Sequence, residues 1–286
     1  LSARYANAPG IYLRQRAFNA GGTFYFAFLH PSQRYGAFVT YKTDKALNYE
    51  NGGIINVNDF TQNVESNRKV FTTNLSSSEN RSKNNSVIFQ QYFNILKPNI
   101  VRKTDSTTTL VPRKFDAGRF VHTFRYTRSG KTYYDSSPGS NFDYYPDYFY
   151  DTVAIYDSVL LTHLENCIVY SNEVPDTLGK SFPLQYSFGL RFQTDRLHRD
   201  TTMTDVFRQT VPFGMLKGII KQKTFFKASA YLVLGGYNGG DFSLDGSFYQ
   251  FFGKLNHKAY LNISQGMRHP DYFFNNYYTD YFSWNN

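Results

Sequence analysis

Leu184-Gln185-Tyr186-Ser187-Phe188-Gly189-Leu190-Arg191-Phe192-Gln193 is the stretch on which the fold turns. Leu184, Tyr186, Phe188, Leu190 and Phe192 take every second position, and Gln185, Ser187, Gly189, Arg191 and Gln193 take the positions between. Successive side chains of a strand point to opposite faces, so this segment reads as a strand with one apolar face and one polar or small face.

The same period of two runs through most of the chain. Phe226, Ala228, Ala230, Leu232 and Leu234 alternate with Lys227, Ser229, Tyr231 and Val233. Phe242, Leu244, Gly246 and Phe248 oppose Ser243, Asp245, Ser247 and Tyr249, while Ala259, Leu261 and Ile263 oppose Lys258, Tyr260, Asn262 and Ser264. Phe120, Phe124 and Tyr126 oppose Arg119, Thr123 and Arg125, with His122 as a polar interruption of the apolar set. Weaker alternation marks Phe18 to Leu29, Tyr35 to Thr43, Val87 to Leu96, Leu160 to Tyr170 and Phe213 to Gln222. Together these make about ten strands, many of them near the roughly 9–11 residues with which a tilted strand crosses a bilayer.

His30-Pro31-Ser32-Gln33-Arg34 reads as a tight turn between the first two strands, and Asp44 to Ser86 as a long connection rich in Asn, Ser and Gly. Up to Pro212 the longer connections are expected on one side of the sheet, the asymmetry of outer-membrane barrels. Gly235 to Gly240 reads as a Gly-rich turn, because strand-like alternation follows it instead of the helix a phosphate loop requires.

Composition agrees with this reading. Of 286 residues 19% are aromatic, with 28 Phe and 25 Tyr, which excludes a disordered chain. The mean hydropathy is nevertheless −0.50, so Phe and Tyr carry the apolar surface while Asn, Ser, Thr and Gly fill the rest, a mixture that favours strands and turns. A single Cys, Cys167, excludes a disulfide framework and any multi-Cys metal site. The net charge of +9 raises nucleic acid as a partner. Its scatter as single Lys and Arg residues, without a basic stripe or recognition helix, argues for no nucleic acid. No run of 18 apolar residues occurs, which excludes a transmembrane helix but not membrane-spanning strands.

No catalytic motif survives inspection: there is no Walker-type loop, no H-E-x-x-H, no G-x-S-x-G and no paired Cys. His30, His122, His163, His198, His257 and His269 lack ligand spacing, so no metal and no cofactor is expected. The densest local feature is Phe142-Asp143-Tyr144-Tyr145-Pro146-Asp147-Tyr148-Phe149-Tyr150-Asp151. Its aromatics, Phe142, Tyr144, Tyr145, Tyr148, Phe149 and Tyr150, with three carboxylates, suit stacking on sugar rings, oxygen coordination of Ca²⁺ or a long loop folded over a barrel mouth, and the lack of EF-hand spacing favours the loop.

A soluble β-sandwich also produces alternating strands. Strand length, one-sided long connections and Phe/Tyr near strand ends, as in aromatic girdles, favour an antiparallel transmembrane β-barrel. In that barrel the polar faces carry Lys42, Arg119, Arg125, Arg191, Lys227, Asp245 and Lys258, with Glu165 and Lys217 from less regular strands. These residues are the expected lumen lining, and their surplus of positive charge points to a pore that favours anions.

Several segments resemble the putative porin family of Bacteroidota-type outer membranes. They are Arg4-Tyr5-Ala6-Asn7-Ala8-Pro9-Gly10, Thr23 to Pro31 with Arg34 to Phe38, Asn48-Tyr49-Glu50-Asn51-Gly52-Gly53-Ile54, Asn80-Arg81 and Gln90-Gln91-Tyr92-Phe93-Asn94. Gly236 to Leu244 and Pro270-Asp271-Tyr272, leading to Phe282-Ser283-Trp284, complete the set. The resemblance implies a large antiparallel outer-membrane barrel without enzyme activity or cofactor, in a polypeptide considerably longer than this one, so residues 1–286 read as part of one barrel domain. Passive diffusion of small solutes is the function expected, with outer-membrane lipid as the surroundings. The alternatives are a surface ligand-binding protein anchored by its barrel and a soluble β-sandwich binding module.

Overall fold

In the computed structural model, residues 1–63, 66–96, 99–104, 107–112, 117–138, 144–145, 153–172, 184–199, 203–220, 223–252, 257–270, 272, 276–278 and 283–285 are described. Chain order runs β1 (Ser2–Pro9), β2 (Arg16–Leu29), β3 (Tyr35–Glu50), a short helix α1 (Val57–Thr61), a 3₁₀ turn (Arg68–Val70), β4 (Ser78–Asn94), β5 (Asn99–Thr104) and β6 (Thr107–Pro112). It continues with β7 (Arg119–Asp135), β8 (Ile155–Ser171), β9 (Leu184–Arg199), β10 (Met203–Ile220), β11 (Thr224–Leu232), β12 (Phe242–Phe252), β13 (His257–Met267), β14 (Asn276–Tyr278) and β15 (Ser283–Asn285). An 11-stranded antiparallel sheet takes the order β1-β2-β3-β4-β7-β8-β9-β10-β11-β12-β13, while β5-β6 and β14-β15 are separate hairpins.

Each strand of the large sheet pairs with its neighbours in the chain, the hairpin β5-β6 being an insertion between β4 and β7. This is the up-and-down order of a barrel wall. Among the described residues β1 and β13 do not pair with each other, so the sheet is open, as an incomplete barrel would be. Among the described residues no helix is long and apolar enough to cross a membrane.

The ten strands expected from alternation are all present, and β1 joins them as an eleventh. Its sequence, SARYANAP, has no apolar period, and it is held by backbone pairing to β2 from Ser2↔Thr23 to Pro9↔Arg16. The larger correction concerns length. The connection expected from Asp44 to Ser86 is shorter than expected, because both its ends are strand: β3 runs on to Glu50 and β4 begins at Ser78, paired from Glu50↔Ser78 through Lys42↔Ser86, which leaves 51–77 as the connection. β7, β8, β9 and β10 likewise reach 17, 17, 16 and 18 residues.

Register sorts every side chain of the sheet onto one of two faces, since paired residues share a face. On the apolar face, Phe24, Phe26 and Phe28 of β2 lie beside Ala37, Val39 and Tyr41 of β3, which lie beside Val87, Phe89 and Gln91 of β4. Leu190 and Phe192 of β9 lie beside Pro212 and Thr210 of β10. Phe188, Phe24 and Leu244 are 58%, 50% and 50% exposed, and among the described residues no second sheet covers them. A sandwich requires that cover, since two sheets bury their facing side chains against each other. His122, the interruption in the apolar set, is matched on the same face: its ring nitrogens lie 3.2 Å from Gln91 Nε2 and 3.4 Å from Asn166 Oδ1.

The two ends of the sheet differ. At one end the apolar residues run to the last rung, where Phe28, Tyr35, Phe93, Phe120, Tyr170 and Tyr186 form a row on the apolar face, with Phe120–Tyr170 and Tyr170–Tyr186 ring centroids 5.2 and 5.9 Å apart. We call this the flush end. At the other, β3, β4, β7, β9 and β10 continue well past the apolar set with mainly polar side chains on both faces, and β8 continues with Val159, Leu160 and Leu161. At roughly 3.3 Å per residue an 18-residue strand such as β10 spans about 60 Å before tilt, far more than an apolar band about 25 Å tall. This is the protruding end. The expected one-sidedness of long connections holds for 51–77 and 136–154, both at the protruding end. It fails for 95–118 at the flush end, where the chain spends its length on the hairpin β5-β6.

Candidate functional site

The polar face carries the chemistry. Register places all of Lys42 (β3), Arg119 and Arg125 (β7), Glu165 (β8), Arg191 (β9), Lys217 (β10), Lys227 (β11), Asp245 (β12) and Lys258 (β13) on this one face. The chain of partners is continuous: Lys42↔Ser86, Ser86↔Thr127, Thr127↔His163, His163↔Asp195, Asp195↔Phe207, with each named residue on the same parity as its strand's member of that row.

Glu165 is the hub of a cluster spanning β7, β8 and β9. It is 6% exposed, and its carboxylate lies 3.8 Å from Arg125 Nη1, 3.7 Å from Arg191 Nε and 3.8 Å from His163 Nε2. Gln193 donates to it from Nε2 at 3.1 Å, and Gln209 Nε2 donates in turn to Gln193 Oε1 at 2.9 Å. His163 Nδ1 sits 2.6 Å from Asp195 Oδ1. A carboxylate in so crowded a place is tolerable only with surrounding cations and donors, because desolvating a lone charge costs several kcal/mol, on the order given for buried ions. The arrangement leaves the Arg125 and Arg191 side chains partly exposed on the polar face. Arg191 also lies over the Phe213 ring, 5.4 Å to the centroid, and Phe213 in turn covers Gly189, whose missing Cβ leaves the room.

Nearer the flush end Lys217 and Lys227 are direct register partners, lining a cavity of about 270 Å³ with Gln185, Phe225, Ser247 and Tyr249. Like charges set opposite each other destabilise a sheet, so a pair placed here calls for a functional reason. Asp245, the nearest carboxylate on this face, accepts hydrogen bonds from Ser243 and Ser264, both at 2.6 Å.

Toward the protruding end the same face carries groups absent from the sequence reading: Asp44, Glu50, Asp135, Asp157, Asp195 and Asp205, against Arg4, Lys131 and Arg199. Counting the period of two onward from Gln193 would have reached Asp195. The others lie in extensions where no apolar partner set announces the strand. The polar face is thus basic within the apolar band and richer in carboxylates beyond it.

Two loop clusters pack onto the polar face at the protruding end. In the first, segment 51–77 is closed by the bridge Ile54↔Thr73 and by Leu75 N donating to Asn51 O at 3.0 Å. Its Leu75 joins Tyr145, Ile155 and Tyr133 in a small buried core. Asp135, fully buried, ties the cluster together: Ser78 Oγ and Tyr145 Oη donate to it at 2.7 and 2.6 Å, Ser137 N at 3.0 Å, and Ser77 Oγ also donates. Burial alone would raise the Asp135 pKa, but these donors hold the carboxyl below the usual carboxylate range. Burial and the neighbouring carboxylate push the Tyr145 hydroxyl well up. In the second cluster Phe207, Tyr237 and Tyr272 pack ring to ring, and Arg199 Nη2 donates to Asp205 at 2.6 Å and to Tyr272 at 3.1 Å.

Of the aromatic run from Phe142 to Asp151, Tyr145 is buried and Tyr144 is half exposed against it, edge to face at 5.3 Å. Phe142, Tyr148, Phe149 and Tyr150 lie outside the described residues. Among the described residues no group of three or more His, Cys, Asp or Glu could hold a metal ion.

The sequence pattern of the family described as putative porin matches residues 1–286, the whole chain. The chain belongs to the putative porin family. No curated protein and no solved structure matches it. For a porin-family chain the two faces acquire distinct expectations. One is uncovered and apolar, the other carries fixed charge held in place by neighbouring strands, and the family points to a channel-like protein.

Proposed function

We propose that this chain forms part of the wall of an outer-membrane pore through which small solutes diffuse passively, the polar face lining the lumen and the apolar face meeting lipid. The observation that carries the reading is the register: nine charged side chains on eight strands, named from alternation alone, share one face of a single continuous sheet. The opposite face is uncovered and rich in Phe and Leu, and an apolar patch of that extent is stable only against another apolar phase. The aromatic row at the flush end has the composition and the place of an interfacial girdle.

The mechanism is electrostatic. A solute entering from the protruding end meets a mouth lined by carboxylates, with the loop clusters at Asp135 and at Tyr237 and Tyr272 packed on the lumen side. It then meets a stretch where, among the described residues, Arg119, Lys217, Lys227 and Lys258 face Asp245 alone. Fixed charges on pore walls set selectivity through the local potential, so this stretch attracts anions and repels cations. No side chain is assigned a chemical step. The test is a reversal potential across a planar bilayer holding the full-length protein in a salt gradient. The sign of anion preference is expected, and a cation-preferring potential would overturn the proposal.

A further inference from the structure

The apolar face also carries charge, and its placement is not random. Lys45 on β3, Lys83 on β4, Arg128 on β7, Arg196 on β9 and Arg208 on β10 all point to this face, opposite the proposed lumen. Each stands one or two same-face positions beyond the apolar run of its own strand: Tyr41 then Thr43 then Lys45, Val87 then Asn85 then Lys83, Tyr126 then Arg128, Phe192 then Thr194 then Arg196, Pro212 then Thr210 then Arg208. One same-face position is two residues, about 7 Å along a strand, so the five stand about 7–13 Å beyond the apolar run. All five are exposed, and among the described residues none has an ion-pair partner.

The contrast with the other face sharpens the point. On the polar face, among the described residues, five cations meet carboxylates: Arg125 and Arg191 meet Glu165, Arg199 meets Asp205, and Arg4 and Lys42 meet Asp44, Lys42 at 3.2 Å. On the apolar face of the large sheet the only carboxylate among the described residues is Glu79, which pairs with Arg81 farther out. At the flush end the same face has aromatic residues and no cation in the strands. The basic belt is therefore confined to one edge of the apolar band.

We infer that this belt binds the phosphate headgroups of the lipid leaflet at the protruding end, resting on the reading of the apolar face as lipid-facing. Side chains placed just outside an apolar band lie at headgroup depth, where long Lys and Arg stems remain on apolar surface and the charged ends reach outward. Arg forks engage phosphate oxygens in pairs, and Lys adds point charge. A belt on the outward face touches lipid rather than solute, so its charge complement is the membrane and not the permeant.

The test uses the full-length protein inserted in phosphatidylcholine vesicles, with spin-labelled phosphatidic acid and spin-labelled phosphatidylcholine as probes of the lipid held at the protein surface. Each cation near an anionic lipid surface is worth about a fivefold factor, so a preference of at least about fivefold for the phosphatidic acid label is expected, weakening with salt. The variant Lys45→Gln/Lys83→Gln/Arg128→Gln/Arg196→Gln/Arg208→Gln should insert equally and bring the ratio close to one, while Glu79→Gln, which frees Arg81, should raise it. Inorganic phosphate in the buffer should leave the wild-type ratio largely intact. An inserted protein without the preference, or a quintuple variant that keeps it, overturns the inference and leaves the barrel reading standing. A protein that stays in buffer without entering vesicles overturns both.

Discussion

Asp135→Asn should loosen the loop cluster at the protruding end without touching the sheet. The wild-type carboxylate is fully buried and accepts from Ser77, Ser78, Tyr145 and the Ser137 amide, with distances of 2.7, 2.6 and 3.0 Å to Ser78, Tyr145 and Ser137. A hydrogen bond to a charged group contributes about 1.5–3 kcal/mol against about 1 kcal/mol for a neutral one, so removing the charge costs about 1 kcal/mol per donor. The new amide NH₂ also faces donors, and one hydroxyl must turn to accept from it. The sum over the four donors is about 4 kcal/mol of local stability, or roughly a thousandfold faster opening. Amide hydrogen exchange at neutral pH, read on peptides covering 52–75 and 133–145, should show that acceleration while the peptide 184–193 exchanges as in wild type. An acceleration below about threefold would mean that the apolar core of Leu75, Tyr145 and Ile155 holds the loop and the carboxylate does not.

Because the folded Asp135 carboxyl titrates below its ordinary range, its contribution is complete above the unfolded carboxylate value of about 3.9 and is lost as pH falls through the lower folded value. Protection of the 52–75 peptide, taken as its exchange rate relative to the intrinsic amide rate at each pH, should therefore be flat from neutral pH to about 4 and fall below it, an acid step that Asp135→Asn lacks. Tyr145→Phe removes the hydroxyl that joins Tyr133 and Asp135, each at 2.6 Å, and should speed the same peptide about tenfold. Gly189→Ala puts a Cβ about 2.3 Å from Phe213 Cζ, displacing the ring that supports Arg191, and should cost about 1–3 kcal/mol, read as a lower temperature for loss of the folded band on a detergent gel. Leu190→Arg places a charge on the apolar face, at a cost of about 2–4 kcal/mol if that face meets lipid, and should block vesicle insertion, whereas Gln193→Lys on the opposite face should insert normally. Lys217→Glu/Lys227→Glu should move the reversal potential toward cations, and an unchanged potential would exclude that pair from the conducting path.

Leu184 to Gln193 shows where sequence reading succeeds and where it stops. Its alternation ends at Phe192, yet β9 continues through Thr194 to Arg199 in unbroken register with β8 and β10. Alternation is a record of two different media on two sides of a sheet, and it fades where both sides face water. The ladder itself needs only backbone donors and acceptors, so Ser2–Pro9 can pair with β2 and Ser78–Ser86 with β3 without any apolar signature. The same blindness hid Asp135, Asp157 and Asp205, which lie in those polar extensions.

What the amino-acid order determined by itself was the class of fold, the ten strands with an apolar side, and which charges share a face with which, because parity within a strand is a local property. The joining of strands is not local. Only the tertiary structure decided the register that put Glu165 among Arg125, Arg191 and His163, and the packing of Leu75 and Tyr145 onto the polar face. It alone aligned the lysines and arginines of five strands along one edge of the apolar band, since such a belt exists only when the offsets between strands are known.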